Sequence, residues 1–280
     1  MASFLERYKR QPKLYIDLPT GGQWYPPGAL LDDQSHHMPV LGMTAMDEIV
    51  LKTPDALFNG EATAQVIASC VPHILDPWQI PTFDLDYLLI AMRVATYGEN
   101  LNVATKCPNC GEKTESSVSL QKLLDTFNNK PTTNSFEHED LTVHLKPITY
   151  KQFSDFNLRE YALQRQLVNI TKQVETTPED QDKQVRTLLD DLAKLNLELA
   201  VAHIFSLEAG EEKESNPAEI YQFIAQTDAV FFQKLKDAVK KLKDDWDIPA
   251  MEVQCAATEC EKTYKTGLNL DYSSFFAVRR

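Results

Sequence analysis

The chain has 280 residues, of which 43% are hydrophobic and 25% charged, with 15 Pro against 9 Gly. That length gives one large domain or two modest ones, with ample chain for a core. A net charge of −13, from 41 acidic and 28 basic side chains, opposes general binding to DNA or RNA, whose phosphates are neutralised by Lys and Arg. No apolar run reaches the roughly 18 residues of a membrane span. The first ten residues lack the apolar core of a secretory signal. A cytoplasmic origin is expected, and there paired cysteines are more often metal ligands than disulfides.

Residues 11–30 read as extended and turn-rich. Leu14 to Leu18 has the size and branching of a strand, and the Gly21-Gly22 and Pro26-Pro27-Gly28 steps are turn signals. Trp24 and Tyr25 lie among them, either packing this loop on a core or forming an arm that grips a neighbour. His36 and His37 read as solvated. Residues 44–98 read as a set of helices. Thr44 caps the first, with Asp47 three residues on. Thr53-Pro54-Asp55 starts a short second one, and Ala62 to Val71 makes a third. Phe83 to Tyr97 is apolar nearly all round, the pattern of a central helix closed by Gly98. Asp84 and Asp86 at its start read as capping residues. Cys70 reads as a lone buried thiol.

Four of the five cysteines stand in two short segments, Cys107-Pro-Asn-Cys110-Gly111 and Cys255-x4-Cys260, with 144 residues between Cys110 and Cys255. Leu101 and Val103 alternate before the first pair, and Thr114, Ser116, Val118 and Leu120 after it. Met251 and Val253 precede the second pair, and Tyr264, Thr266, Leu268 and Leu270 follow it. Each pair therefore reads as a knuckle between two strands, and two such hairpins facing each other make a zinc ribbon. With Cys107, Cys110, Cys255 and Cys260 all bound to one zinc ion, no coordination position remains for water or substrate. Such a metal holds structure and does not catalyse. The Cys-x2-Cys-Gly half is the more specific signal, and the x4 half gains weight from its matching flanks.

The excursion between the knuckles opens with a strand, 141–145. A helix from about Thr149 to Val174 follows, then a second from Pro178 to about Leu207. Leu163, Leu167 and Ile170 on one, and Val185, Leu188, Leu192, Leu195, Leu199 and Ala202 on the other, have the spacing of antiparallel packed helices. The tip is acidic, with Glu179 and Asp180 among its carboxylates, and reads as a solvated helix end or a docking tip. Asn216-Pro217 and Thr227-Asp228 start two more helices, the second rich in lysine toward residue 243. The tail carries Phe275 and Phe276, which should dock or contact a partner.

The expected architecture is α+β and predominantly helical. It comprises an extended arm or hairpin (1–40), a helical domain (41–100), a zinc ribbon (101–125 and 248–272), a helical insertion with its hairpin arm (140–247) and a tail (273–280). No His-Glu-x-x-His, Gly-x-Ser-x-Gly, P-loop or dinucleotide glycine run is present, and no enzyme is expected. A nucleic-acid-binding ribbon is the rival, but Glu112, Glu115, Glu259 and Glu261 sit beside Lys106, Lys113, Lys262 and Lys265.

Several stretches in order carry a family resemblance: Leu18-Pro-Thr-Gly-Gly-Gln-Trp-Tyr-Pro26, Met43-Thr-Ala-Met-Asp-Glu48, Leu51 through Thr63, Ser69-Cys-Val-Pro72, Asp76-Pro-Trp78, Ala95-Thr-Tyr-Gly98 and the first knuckle. Together they resemble the phage T4-type baseplate protein family, which includes baseplate hub subunits and a hub assembly chaperone. The resemblance is closest over residues 8–125. It implies structural or assembly work in a contractile-tail baseplate, in the virion after assembly in the host cytoplasm. The implied partners are other baseplate or hub proteins, or a second copy of the chain, with no small-molecule substrate and no membrane. Trp24, Tyr25, Glu179, Asp180, Phe275 and Phe276 are the residues expected to meet them.

Overall fold

The computed structural model describes residues 4, 8–53, 59–128, 130–132, 134–170, 178–260, 262–268 and 275–276. Helix makes up 48% and strand 22%, so the fold class is α+β. The chain forms two compact units, Met1–Lys130 with Trp246–Arg280, and Pro131–Asp245.

In the first unit, β1 (Pro12–Ile16) pairs antiparallel with β2 (Met38–Leu41), a strand that the sequence reading did not anticipate. Ile16, Met38 and Val40 are buried from this ribbon. The loop between the strands folds back through the Leu18 N–H bond to the Ser35 carbonyl (2.8 Å). Gly22 is required there twice over, by its φ of +80° and because a Cβ would lie 3.0 Å from that of Ser35. His37 is not simply solvated. Its ring stacks on Tyr15 (centroids 4.3 Å apart), and its N–H donates to Asp17.

Helix α1 (Ala45–Val50) starts with the capping box read from the sequence. The Asp47 N–H donates to Thr44 Oγ1 (3.1 Å), and the Thr44 N–H to Asp47 Oδ2 (2.7 Å). The short helix expected from Pro54 lies outside the described residues. Helix α2 (Glu61–Cys70) buries Val66, Ile67 and Cys70. Arg10 binds both helices to the N-terminal segment, donating to the carbonyls of Gly42 (2.9 Å) and Ser69 (2.7 Å) beside Asp47. Burial pushes the Cys70 thiol up to about 12, as befits an inert core residue.

Helix α3 (Thr82–Tyr97) is the centre of this unit, with eleven of its side chains buried. Asp84 is not a cap, contrary to the sequence reading. The residue at the cap position is Pro81, without a side-chain bond, and Asp84 points inward, fully buried, to accept two hydrogen bonds from Thr20. Asp86 is half-buried, and desolvation, with the Asp247 carboxylate nearby, raises its carboxyl to about 6. Farther along α3, the Arg93 guanidinium lies over the rings of Tyr97 (5.0 Å) and Phe275 (5.3 Å).

Strands β3 (Asn100–Lys106) and β4 (Lys113–Ser119) form the first hairpin, and β9 (Met251–Gln254) and β10 (Thr263–Thr266) the second. Leu120 does not extend β4. Ser119 caps α4 (Leu120–Asp125), which buries Leu120, Leu123 and Leu124. The chain leaves this unit at Lys130 and returns at Trp246, and those two points are tied. Lys130 Nζ donates to the Asp247 carbonyl (3.1 Å) and sits over the Phe127 and Trp246 rings, while Trp246 stacks on Phe83 at 4.3 Å.

The second unit holds a four-stranded antiparallel sheet in the order β5 (Asn134–His138), β6 (Leu141–Leu145), β7 (Ile204–Ala209), β8 (Glu212–Glu214). Only β6 was legible beforehand. Helices α5 (Tyr150–Ile170) and α6 (Pro178–Ala202) form the expected antiparallel hairpin, with Arg159 Nη1 2.6 Å from Glu198 Oε2. Its tip, 171–177, lies outside the described residues. Leu188 and Leu195 are buried along the seam, and Leu163, Leu167, Leu192 and Leu199 half-buried. α6 ends at Ala202 rather than near Leu207. His203 turns the chain, exchanging backbone and ring bonds with Lys146, and β7 follows at once. Asn216 and Asp228 cap α7 (Pro217–Gln226) and α8 (Ala229–Trp246).

Candidate metal centre

The two hairpins each present one half-buried face. On the first, Leu101, Val103 and Thr105 stand opposite Val118, Ser116 and Thr114; on the second, Met251 and Val253 stand opposite Thr266 and Tyr264. These faces meet through side chains. Thr105 Oγ1 is 2.7 Å from the Tyr264 hydroxyl, and the Ala256 N–H donates to Thr114 Oγ1 (3.1 Å). The knuckles at the ends of the hairpins are thereby held against each other.

The first knuckle closes with the Cys107 N–H on the Glu112 carbonyl (2.9 Å) and the Gly111 N–H on the Cys107 carbonyl (2.9 Å). Gly111 has a φ of +78°, which explains the glycine at this position. The second closes with the Cys255 N–H on the Lys262 carbonyl (3.0 Å). Its loop spans seven residue steps where the first spans five. The two extra residues of the x4 spacing are absorbed in the loop, and the hairpin below it is unaltered. Position 261 lies outside the described residues.

All four sulfurs lie within 4.8 Å of one another. Cys107 Sγ is 3.9 Å from Cys260 Sγ, and Cys110 Sγ 3.5 Å from Cys255 Sγ. A metal–sulfur bond of about 2.3 Å in a tetrahedron places sulfurs about 3.8 Å apart, so the spacing fits one four-coordinate ion. Cys107 and Cys255 are buried, Cys260 half-buried and Cys110 exposed.

Amide donors face the sulfurs. N–H groups of Cys110 and Asn109 hold the Cys107 thiol below its ordinary value. The Lys262 N–H, then the Asn109 side chain, bring Cys260 down to about 7. Cys110 has the Glu112 N–H in its favour, but the neighbouring Cys255 thiol and the other sulfurs carry it up to about 12. A bound cation reverses that crowding by replacing the protons that the sulfurs otherwise share.

The four cysteines singled out in the sequence are thus brought together. The six residues proposed for partner contact differ in exposure. Trp24 and Tyr25 are half-buried, and burial, with the Asp84 carboxyl beside it, raises the Tyr25 hydroxyl well above its ordinary value. Phe275 and Phe276 are 4% and 6% exposed, docked beside Arg93. Glu179 and Asp180, at the start of α6, are exposed. Sequence reasoning missed Asn109, Thr105, Thr114 and Tyr264 at the centre. The strand alternation marked Thr114 and Tyr264 only as strand positions and did not reach Thr105, and nothing in the spacing pairs Asn109 with Cys260.

Four cysteines on two docked hairpins form a possible metal site, and an ion held by all four would have no coordination position left for chemistry. Residues 40–277 match the family model described as T4 bacteriophage base plate protein, so the chain belongs to that family, whose role is structural, in a phage tail baseplate. No curated protein and no solved structure matches the chain.

Proposed function

We propose that this protein is a component of the hub region of a contractile-tail baseplate, where it joins neighbouring baseplate proteins, and that one Zn²⁺ closes its four-cysteine cluster as a split zinc ribbon. The observation that carries the reading is the family match across 40–277, which takes in both knuckles and all the chain between them. Zinc is favoured because soft thiolates in a tetrahedron suit it and leave it no open position. Joining rather than catalysis is supported by the second unit, whose α5–α6 hairpin carries the exposed carboxylates of Glu179 and Asp180 at one end. Those two residues are assigned the first contact with a partner. Phe275 and Phe276 reach one only after leaving their present packing, whereas Trp24 and Tyr25 are half-buried where they stand.

Chemical cross-linking of purified baseplates, read by mass spectrometry, tests the reading. Links from Lys183 or Lys194 on α6 to a different hub protein are expected. Baseplates that contain the chain but give no such link contradict the joining role. Elemental analysis of the purified chain is expected to give one zinc per molecule.

A further inference from the structure

Asn109 sits between the two ligands of the first knuckle, yet its side chain serves the second. Asn109 Nδ2 donates to Cys260 Sγ (3.4 Å), and its Oδ1 accepts from Lys262 Nζ (3.0 Å). The knuckles are unequal in backbone donors. Cys107 receives N–H groups from both Asn109 and Cys110, because an x2 spacing brings the second ligand's amide back to the first sulfur. In the longer x4 loop, Cys255 receives the Ala257 N–H (3.4 Å), and the Cys260 N–H is spent on the Ala257 carbonyl (3.0 Å). Cys260 has the Lys262 N–H from its own loop, and the Asn109 side chain reaches across from the other knuckle to give it a second donor.

We propose that Asn109, oriented by Lys262, is a positioning residue of the metal centre that supplies the looser knuckle with a donor from the tighter one and so fixes Cys260 as a ligand. This rests on the zinc reading above. A tetrathiolate zinc site carries two net negative charges. The Lys262 ammonium, bound to Asn109 Oδ1, polarises the amide whose N–H donates to Cys260. Outer-shell donors of this kind govern how tightly a metal is held.

The test uses the full chain loaded with Zn²⁺, with transfer of the metal to a competing chelator and thiol alkylation mapped by peptide mass. Asn109→Asp keeps a residue that suits a turn, but it removes the N–H donor and sets a carboxylate beside a thiolate. The proposal expects Asn109→Ala to lose metal about tenfold faster than wild type, Asn109→Asp faster still, and alkylation to begin at Cys260 in both. Lys262→Met should give a smaller change in the same direction, and Lys265→Met on β10, beyond the knuckle, none. Asn109→Asp behaving like wild type would show that Asn109 is only a turn residue, and would overturn the proposal while leaving the zinc site standing. A wild-type chain that binds no Zn²⁺ would instead overturn the zinc reading, and the proposal with it.

Discussion

Thr20 donates twice to Asp84 across 64 residues of chain, through Oγ1 to Oδ2 at 2.6 Å and through its backbone N–H to Oδ1 at 3.1 Å. The pair fastens the glycine-rich N-terminal loop to the middle of the first unit. Burial still dominates, and it raises the Asp84 carboxyl from 3.8 to about 6 despite both bonds. The folded chain thus holds a proton that the unfolded chain has released. This contribution to stability is fully present below about pH 4 and is lost as pH rises through 6. Asp84→Asn should remove that dependence, so its melting temperature relative to wild type should rise between pH 5 and 7.5. A difference that stays constant over that range would contradict the assignment. Thr20→Val, which strips the hydroxyl donor from a buried carboxylate, should cost on the order of 2 kcal/mol at pH 7.

His203 gives the second unit the opposite dependence. It is 1% exposed, and burial, with the nearby Lys243 and Lys146 charges, lowers it from 6.5 to about 4 against the bond to the Lys146 carbonyl. The unfolded chain takes up the proton first, so stability falls as pH drops from 6.5 towards 4. Protection of the β6 and β7 amides from hydrogen exchange, relative to their intrinsic rates at each pH, should fall over that range, and His203→Gln should flatten the response. An unchanged acid limb in the variant would place the acid sensitivity elsewhere.

At the neck where the chain leaves and re-enters the first unit, Trp246 on Phe83 carries more of the energy than Lys130. Trp246→Ala should cost about 3 kcal/mol, the usual result of emptying a buried aromatic site. Lys130→Met keeps the stem over Phe127 and should cost under about 1 kcal/mol. Denaturant unfolding of the two variants separates the terms, and an equal or larger loss for Lys130→Met would contradict this ranking.

Cysteine substitution separates ligands from bystanders. Cys107→Ser should bring metal content close to zero and lower the melting temperature of the first unit. Cys70→Ala, at the buried thiol of α2, should keep the full complement. Full metal in the Cys107 variant would remove the four-thiolate site.

What the sequence made legible follows from how local each signal is. The Thr44–Asp47 capping box, the knuckles and the hairpin alternation are short-range patterns, and they stand in the structure where they were read, except that Leu120 and Leu268 lie beyond the ends of β4 and β10, and Leu270 lies outside the described residues. The Thr20–Asp84 pair joins residues 64 apart and left no mark beyond a carboxylate near a helix start. β7 was hidden for a different reason. No proline or glycine interrupts residues 179–209, so nothing local marks the point where pairing with β6 ends the helix. β5 reads Asn-Ser-Phe-Glu-His, too polar to stand out without its partner strand.

Peptide mass spectrometry of purified mature virions bears most directly on the central claim. The account predicts peptides from both units of this chain in the finished particle, at a fixed ratio to the other baseplate proteins. Absence from virions, with the chain abundant in infected cells and needed for tails to form, would contradict it and make the protein an assembly factor instead.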